Sequence, residues 1–118
     1  MRDKTDLARV FDGFSETWSP RIVARVNDME VMAVKASDAF VWHSHPDTDH
    51  FFLVLEGELD IELRDRTVSL SPGQIFVVPK GVEHRPLVRR GEARLLIIEP
   101  AGTPNTGDPR TAAIKVEV

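Results

Sequence analysis

The stretch HSHPDTDHFFLVLEGELDIEL, residues 43–63, joins a histidine cluster to two short strand-like runs. Beyond Gly57 the chain alternates, with Leu59, Ile61 and Leu63 separated by acidic residues. Strict alternation of this kind predicts a half-buried strand. Gly57 stands between the two runs, where a tight hairpin needs a turn residue. The stretch therefore predicts a sheet of short antiparallel strands.

The same layout continues on both sides of this stretch, from Arg21 to Glu99. Further turns are predicted near Asp65 and Gly91, each between two apolar runs. The run IFVVP, residues 75–79, is apolar at every position, as expected of a strand that is buried on both faces. Seven or more short strands at this spacing predict an all-β antiparallel sandwich or barrel over about residues 21–99.

Two segments of different composition flank the predicted strands. Apolar residues at i, i+3, i+4 and i+7 predict a short helix over about residues 4–15, which would pack on the outside of the barrel and stop before Pro20. These residues are Leu7, Val10, Phe11 and Phe14. Residues 100–118 carry three prolines and two glycines among Thr, Asn and Asp, and predict a loop or tail. This tail is either a tethered surface segment, a cover over one barrel mouth, or a strand exchanged with a partner.

Length and composition limit the possible classes of protein. A chain of 118 residues predicts one domain, residues 1–118. The absence of Cys excludes disulfides, thiolate metal sites and a cysteine nucleophile, and the absence of Tyr removes a phenolic acid. A net charge of -4 without a basic stripe argues against nucleic acid and anionic membranes as partners. The charged N-terminus and the lack of a long apolar run predict a cytoplasmic protein.

Three of the four histidines lie within eight residues. His43 and His45 belong to FVWHSHP, residues 40–46, which reads as a strand that runs into a turn. Residues i and i+2 of a strand share one face, about 6.6 Å apart along the chain. Two imidazoles at that separation can bend towards one ion, with each nitrogen about 2.0–2.1 Å from it. His50 begins the next apolar run and can face the same interior, whereas His84 stands alone in PKGVEHRP.

The wider spacing is H-x-H-x4-H-x6-G, ending on Gly57, followed by G-x5-P-x-G-x2-H from Gly73 to His84. These two patterns resemble the two motifs of the cupin superfamily over roughly residues 38–99. The whole chain is similar to the small one-domain bacterial cupins that are often labelled mannose-6-phosphate isomerase-like. The resemblance implies an antiparallel double-stranded β-helix, or jelly-roll, barrel with a short N-terminal helix.

The resemblance also implies a set of metal ligands. His43 and His45 match the two histidines of the first motif, and His84 matches the histidine of the second. His50 stands where the family has a glutamate ligand, which is a real departure, and Val88 stands where the second motif ends in Asn. All four histidines thus fall on ligand positions, so the predicted ligands of one metal ion are His43, His45, His50 and His84.

Two alternatives to ligation by His50 remain open. Asp47 or Asp49 could approach the ion in its place, or three histidines could leave open positions. Four neutral imidazoles would leave a divalent ion with a net charge of +2, whereas three histidines and a glutamate would leave +1. Nitrogen ligation suits transition metals better than Mg or Ca, so the predicted cofactor is one divalent Zn, Ni, Fe, Cu or Mn ion.

Aromatic and apolar residues near the histidines are expected to lie on two faces. Phe52 and Val54 share a strand face with His50 and would line an apolar cavity for a small-molecule ligand. Phe40 and Trp42 are expected to face away from the ion, where the N-terminal helix or a second copy would cover them.

Glu83, next to His84, is expected on a solvated face. No catalytic residue is identifiable, and metal-bound water is the one candidate base.

The resemblance implies a metal-dependent enzyme, dioxygenase- or isomerase-like, that acts on a small molecule in the barrel. The alternative is a non-catalytic module that binds or senses a metal or a small molecule. Four histidines can saturate a tetrahedral ion, and closed sites are usually structural. A homodimer is expected because dimers are common among the proteins that the chain resembles.

Overall fold

A computed structural model of the protein describes residues 3–118, so positions 1 and 2 of the predicted domain lie outside the described residues. One helix and eight strands follow one another in the described chain. They are α1 (Leu7–Asp12), β1 (Arg21–Val26), β2 (Met29–Ala39), β3 (His50–Glu56), β4 (Leu59–Leu63), β5 (Thr67–Leu70), β6 (Ile75–Val78), β7 (His84–Pro100) and β8 (Val116–Glu117). Residues 3–118 contain no helix that is long and apolar enough to cross a membrane.

The long strand β7 organises the sheet because it pairs with three other strands. It pairs with β2 both before and after residues 89–92, and on its other side its first residues pair with β4 and its later residues with β3. The strand order is β5-β4-β7-β2-β1-β8, and β3 links β7 to β6. All of these pairs are antiparallel except β1 with β8. The predicted all-β jelly-roll barrel with a short N-terminal helix is confirmed.

The predicted turn near Gly91 is wrong, since β7 continues through Gly91, which has a φ of 62°. The ladder with β2 is interrupted here instead. Ala36 pairs with Ala93 and Asp38 with Val88, so residues 89–92 have no counterpart in β2. Extra residues in one strand bend it and increase its twist. This bulge lets one continuous strand serve both layers of the barrel.

The predicted tight hairpin at Gly57 is also wrong, because β3 and β4 do not pair with each other. Gly57, with a φ of 79°, instead carries the chain from one layer to the other. A Cβ at this position would lie 2.6 Å from the Glu92 carbonyl oxygen and 2.9 Å from the Ala93 Cα. Glycine is therefore required for both its backbone angle and the close approach of β7. The predicted turn near Asp65 is confirmed, since β4 and β5 pair on either side of it.

The helix α1 is shorter than predicted. It begins after Asp6, whose side chain accepts a hydrogen bond from the Ala8 N–H at 3.0 Å, and it ends at Asp12, well before Pro20. Its buried residue Phe11 packs in a small cluster on the outer face of β1 and β2. Leu7, Val10 and Phe14 pack around this cluster although Phe14 lies beyond the helix. The prediction that the helix packs on the outside of the barrel is confirmed.

The main hydrophobic core fills the space between the layers, and its members are contributed mainly by β2, β3, β4 and β7. The predicted burial of β6 on both faces is wrong. Val78 is 1% exposed, but Ile75 and Val77 are 59% and 42% exposed. Because β6 pairs with β3 alone among the described strands, it is an edge strand with an uncovered outer face.

The tail folds back over its own barrel. Strand β8 pairs in parallel with Arg21 and Ile22 of β1. The Asn105 side chain donates a hydrogen bond to the Trp18 carbonyl oxygen at 3.2 Å. Gly107 lies so close to the Ser44 carbonyl that a Cβ there would clash with it. Of the three alternatives for the tail, the structure agrees with a cover over the barrel mouth that carries the histidines.

Candidate metal centre

All four histidines meet at one mouth of the barrel. His43 and His45 lie in the loop between β2 and β3, His50 is the first residue of β3, and His84 is the first residue of β7. Each offers one ring nitrogen, and these four nitrogens lie within 4.8 Å of one another. The side chains are buried, with 1–7% of each residue exposed. The structure thus brings together every residue of the predicted ligand set.

The loop that carries His43 and His45 is not the strand that was predicted for residues 40–46. Within the described residues it forms one isolated β-bridge with the sheet, between His43 and His84, whose N–H groups and carbonyls exchange hydrogen bonds of 3.0 and 2.9 Å. Pro86, opposite Phe40, accepts a hydrogen bond at 2.9 Å but has no N–H to return. A regular ladder cannot continue past a proline, so β2 ends at Ala39.

Backbone carbonyls fix the tautomers of two of the imidazoles. Nδ1 of His43 lies 2.8 Å from the Val41 carbonyl oxygen, and Nδ1 of His84 lies 2.9 Å from that of Val82. A carbonyl oxygen only accepts hydrogen bonds, so each Nδ1 carries the proton. The lone pair of each ring is then on Nε2. This arrangement is the usual support of a metal-binding histidine.

Five buried nitrogens of the cluster have no hydrogen-bond partner in the described chain. They are Nε2 of His43, His45 and His84 and both ring nitrogens of His50. An unpaired buried polar group costs about 1–3 kcal/mol, so such groups are rare unless something satisfies them. Nitrogens that bind one ion at about 2.0–2.1 Å lie about 3–4 Å apart, which a small contraction of the cluster would reach. The residues therefore fit a divalent transition metal.

Burial also keeps these imidazoles neutral. It lowers the pKa of His45 and His84 to about 4, and neighbouring imidazoles add to the shift. Burial likewise lowers the pKa of His43, and it lowers that of His50 well below the usual value. A neutral ring has a free lone pair, and a metal ion binds it without first displacing a proton.

A cavity of about 30 Å³ lies beside His43 and His50. Phe52 lines it, and its ring stacks on the His50 ring with the two ring centres 4.2 Å apart. Val54 points to the same side of β3 but lies deeper, in the hydrophobic core, and does not line the cavity. One water needs about 10–15 Å³, so this partly open cavity has room for about two waters beside the imidazoles.

The expectation that Phe40 faces away from the ion is wrong. Phe40 contacts His43 edge-on at 5.4 Å and stacks on Trp18 at 4.8 Å, and both aromatic residues line the cavity. Alternation along a strand does not apply here because the segment is a loop. Trp42 does lie outside, with the Arg64 guanidinium 3.8 Å from its ring centre. Trp18, rather than the helix, covers Phe40.

Two carboxylates considered as alternatives to His50, and one next to His84 in sequence, lie outside the histidine cluster. Asp47 is exposed, and an Asp49 carboxylate oxygen accepts the Lys80 N–H at 2.9 Å. Glu83 is exposed and pairs with Arg64 at 3.0 Å, as expected for a solvated face. These three groups are directed to the surface rather than to the imidazoles.

Sequence reasoning missed a carboxylate that the fold brings to the cluster. Glu99 is 2% exposed, and its Oε2 lies 3.9 Å from Nε2 of His50. Burial raises the pKa of Glu99 to about 7, although the nearby ammonium of Lys115 opposes the shift. The signal was the alternation of β7, in which Ala93, Leu95, Ile97 and Glu99 share the buried face. No sequence pattern indicated Lys115, because only the path of the tail brings it beside Glu99.

The fold and the four histidines are those of a jelly-roll barrel with a candidate metal centre. The chain belongs to the cupin family, since the cupin domain model matches residues 30–99. The resemblance seen in the two histidine motifs is thereby confirmed.

Similar proteins come from several bacteria. The chain is 41% identical over 86 residues to the uncharacterized protein YdbB of Bacillus subtilis, covering 72% of this chain and 76% of that protein. It is similar to the crystal structure of a cupin-2 domain containing protein from Shewanella frigidimarina, with 44% identity and a TM-score of 0.79. The match covers 81% of this chain and 93% of that one. Protein NMB1881 from Neisseria meningitidis is 27% identical with a TM-score of 0.74, covering 84% of this chain and all of that one (100%).

Proposed function

We propose that the protein is a metal-dependent enzyme that acts on a small molecule in the barrel. His43, His45, His50 and His84 hold one divalent transition metal. The observation that carries this proposal is the convergence of buried, unpartnered nitrogens beside a cavity. A purely structural ion needs four ligands but no adjoining space, whereas catalysis needs an open position.

The donor set narrows the choice of metal. Neutral imidazoles suit Zn, Ni, Fe and Cu, and Mn less well. When bound, such an ion acidifies a coordinated water or polarises a coordinated oxygen group. The chain's own residues would orient the ion through the backbone contacts of His43 and His84. Phe40, Phe52 and Trp18 would exclude water from the bound molecule.

The cavity lining favours one class of substrate over another. It is mainly aromatic and aliphatic, and none of the described residues that line it is Lys or Arg. A sugar phosphate would meet no Lys or Arg side chain there, whereas the aromatic lining suits the apolar part of a small molecule that enters from the open side of the cavity. We therefore place dioxygenase-like chemistry first and isomerase-like chemistry, which the mannose-6-phosphate isomerase-like label suggests, second. A hydroquinone 1,2-dioxygenase shares the fold with a TM-score of 0.67, but at 17% identity that likeness shows the fold alone.

The competing proposal is a non-catalytic metal-binding module. It is favoured by the ligand count, since four nitrogens can complete a tetrahedral site. The tail also covers the mouth of the barrel, where Asn105 lines the cavity. In this proposal the ion stabilises the fold or reports its own concentration, and no substrate reaches it.

Azide titration of the Co(II)-loaded protein separates the two proposals. An enzyme with an open position is expected to bind azide, with a change in the visible absorption bands of Co(II). A saturated structural site would show bands that azide leaves unchanged, and that result would contradict the enzyme proposal. The same titration of His84→Ala protein controls for loosely bound cobalt. Oxygen uptake by the Fe(II)-loaded protein with small phenols then tests the dioxygenase assignment.

A homodimer is proposed separately, on the outer face of β6. The apolar pattern of residues 75–79 is that of a strand covered on both sides, yet Ile75 and Val77 are exposed in the single chain. A second copy packed on this face would bury both residues.

Light scattering of Ile75→Asp protein is expected to show monomers where the parent shows dimers. Val26, 58% exposed elsewhere, gives a matched control as Val26→Asp, and a monomeric parent protein would reject the proposal.

A further inference from the structure

We infer that Glu99 is the anionic partner of the metal centre and that Lys115 of the tail holds it in place. This inference rests on the proposed metal-binding function. Glu99 acts as a positioning residue. Its Oε2 accepts the Nε2–H of His50, which leaves Nδ1 of His50 to bind the ion.

The geometry singles out the pair of His50 and Glu99. Their Nε2 and Oε2 atoms are 3.9 Å apart, and both atoms are buried without a hydrogen-bond partner among residues 3–118. A shift of about 1 Å would bring them to hydrogen-bond distance. Two unsatisfied polar atoms of complementary chemistry that face each other at this distance are best explained as one interaction.

The two ends of the Glu99 carboxylate have different partners. Oε1 lies 3.4 Å from Nζ of Lys115, which also lies 3.0 Å from a carboxylate oxygen of Glu30. All three side chains are largely buried, with 2–13% of each exposed. The ammonium therefore fixes Oε1 and turns Oε2 towards His50. Residues of β2, β7 and the tail thus form one chain of contacts that ends at the imidazole cluster.

The net charge of the proposed metal centre explains why a carboxylate would lie next to His50. The four neutral imidazoles would leave a divalent ion with a net charge of +2. Glu99 lies on β7, outside both motifs, and returns one negative charge next to His50. A carboxylate that accepts the N–H of a ligating histidine orients the ring and makes it a stronger ligand. The backbone carbonyls of residues 41 and 82 do the same, without charge, for His43 and His84.

Zinc affinity, measured by competition with a chromophoric chelator, tests the inference. Glu99→Gln keeps the size of the side chain and removes its charge, and we expect it to weaken zinc binding about 10–100-fold. Glu99→Asp is expected to recover part of this loss. Asp60→Asn is the matched control, because Asp60 of β4 is also a largely buried carboxylate paired with a cation, Arg89 at 2.6 Å, but is not among the residues that line the histidine cavity. This variant should bind zinc like the parent protein.

A second measurement does not depend on the affinity. ¹⁵N NMR of the His50 ring at pH 8, in the metal-free protein, is expected to show the proton on Nε2, and Glu99→Leu should remove that preference. Equal zinc affinity in the parent and Glu99→Gln proteins, with His50 protonated on Nδ1, would overturn the inference. If the parent protein binds no zinc at all, the proposed function fails instead, and the NMR result alone then decides the role of Glu99.

Discussion

The apolar core and the histidine end of the barrel are buried to a similar extent, but the free energy of burying them differs. In the apolar end, Leu59, Ile61 and Leu95 are completely inaccessible, and each contributes only carbon to the core. At the histidine end, the four imidazoles are nearly as inaccessible but leave five nitrogens without partners. Burial stabilises the first region and penalises the second. The unpartnered nitrogens at the histidine end fit the proposed metal-binding role, whereas the apolar residues serve the stability of the fold.

This contrast predicts that the two regions respond oppositely to substitution. Changes at the histidine end should remove metal binding with little loss of fold, and changes at the apolar end should weaken the fold and leave the metal stoichiometry unchanged. A variant in either region that loses both metal binding and stability, or that loses neither, would contradict this prediction.

The largest effect is expected for His84→Ala. It removes a ligand whose Nδ1 is fixed by the Val82 carbonyl. We expect zinc affinity to fall more than about a hundredfold, beyond the roughly 10–100-fold loss that follows when only a hydrogen-bond partner of a ligating histidine is removed. Isothermal titration calorimetry measures the loss, and circular dichroism checks that the barrel remains folded. An affinity equal to that of the parent protein would remove His84 from the site.

The next largest effect is expected for Leu95→Ala, on the same strand β7. Leu95 is fully buried in the main core, so its truncation should cost about 2–5 kcal/mol of unfolding free energy. Urea unfolding measures the cost. Zinc analysis of the folded fraction should still give the parental stoichiometry, and loss of zinc from a folded Leu95→Ala protein would show that the two regions are not separable.

A smaller effect is expected for Gly57→Ala, at the crossing between the layers. The positive φ of Gly57 would cost about 1–3 kcal/mol in a residue with a Cβ. The close approach of the Glu92 carbonyl adds to this cost. Thermal unfolding measures it, and Gly81→Ala is the control. Gly81 also has a positive φ, but a Cβ there would meet no atom within 4 Å. Equal costs for the two variants would show that the close contact with β7 is unimportant.

The smallest effect is expected for Arg64→Ala on the outside of the mouth. Arg64 covers Trp42 and pairs with Glu83, and all of these groups are at least partly exposed. An exposed cation–π contact contributes about 0.5–1 kcal/mol, and zinc affinity should not change. Urea unfolding and calorimetry test the two parts of this prediction. A tenfold loss of zinc affinity would mean that the outer face of the loop positions His43.

The strand pattern and the histidine spacing allowed most of this fold to be predicted. Alternation identified β4, and the four histidines identified the mouth of the barrel. The errors came from long-range pairing. Gly57 and Gly91 look like turns between neighbouring strands in sequence, but one joins two layers and the other lies in a bulge. No local pattern tells a hairpin from a crossover, because the pairing partners are far away in the chain.

The candidate site, like the fold, was predicted only in part. The four candidate ligands follow from the resemblance of their spacing to the cupin motifs, whereas the carboxylate beside them does not follow from any motif. Glu99 lies 49 positions after His50 and Lys115 lies 16 positions after Glu99, counted on the sequence. Their contact depends on the register of β7 with β3 and on the path of the tail. Phe40 was misplaced because Pro86 ends the ladder and turns the expected strand into a loop.

Elemental analysis of the untagged protein, beside His50→Ala protein prepared identically, tests the central claim most directly. The account predicts about one divalent transition metal ion per chain in the parent protein and a lost or weakened ion in the variant. If neither protein holds a metal, even after reconstitution with Zn, Ni, Fe or Mn, the four imidazoles do not form a metal centre.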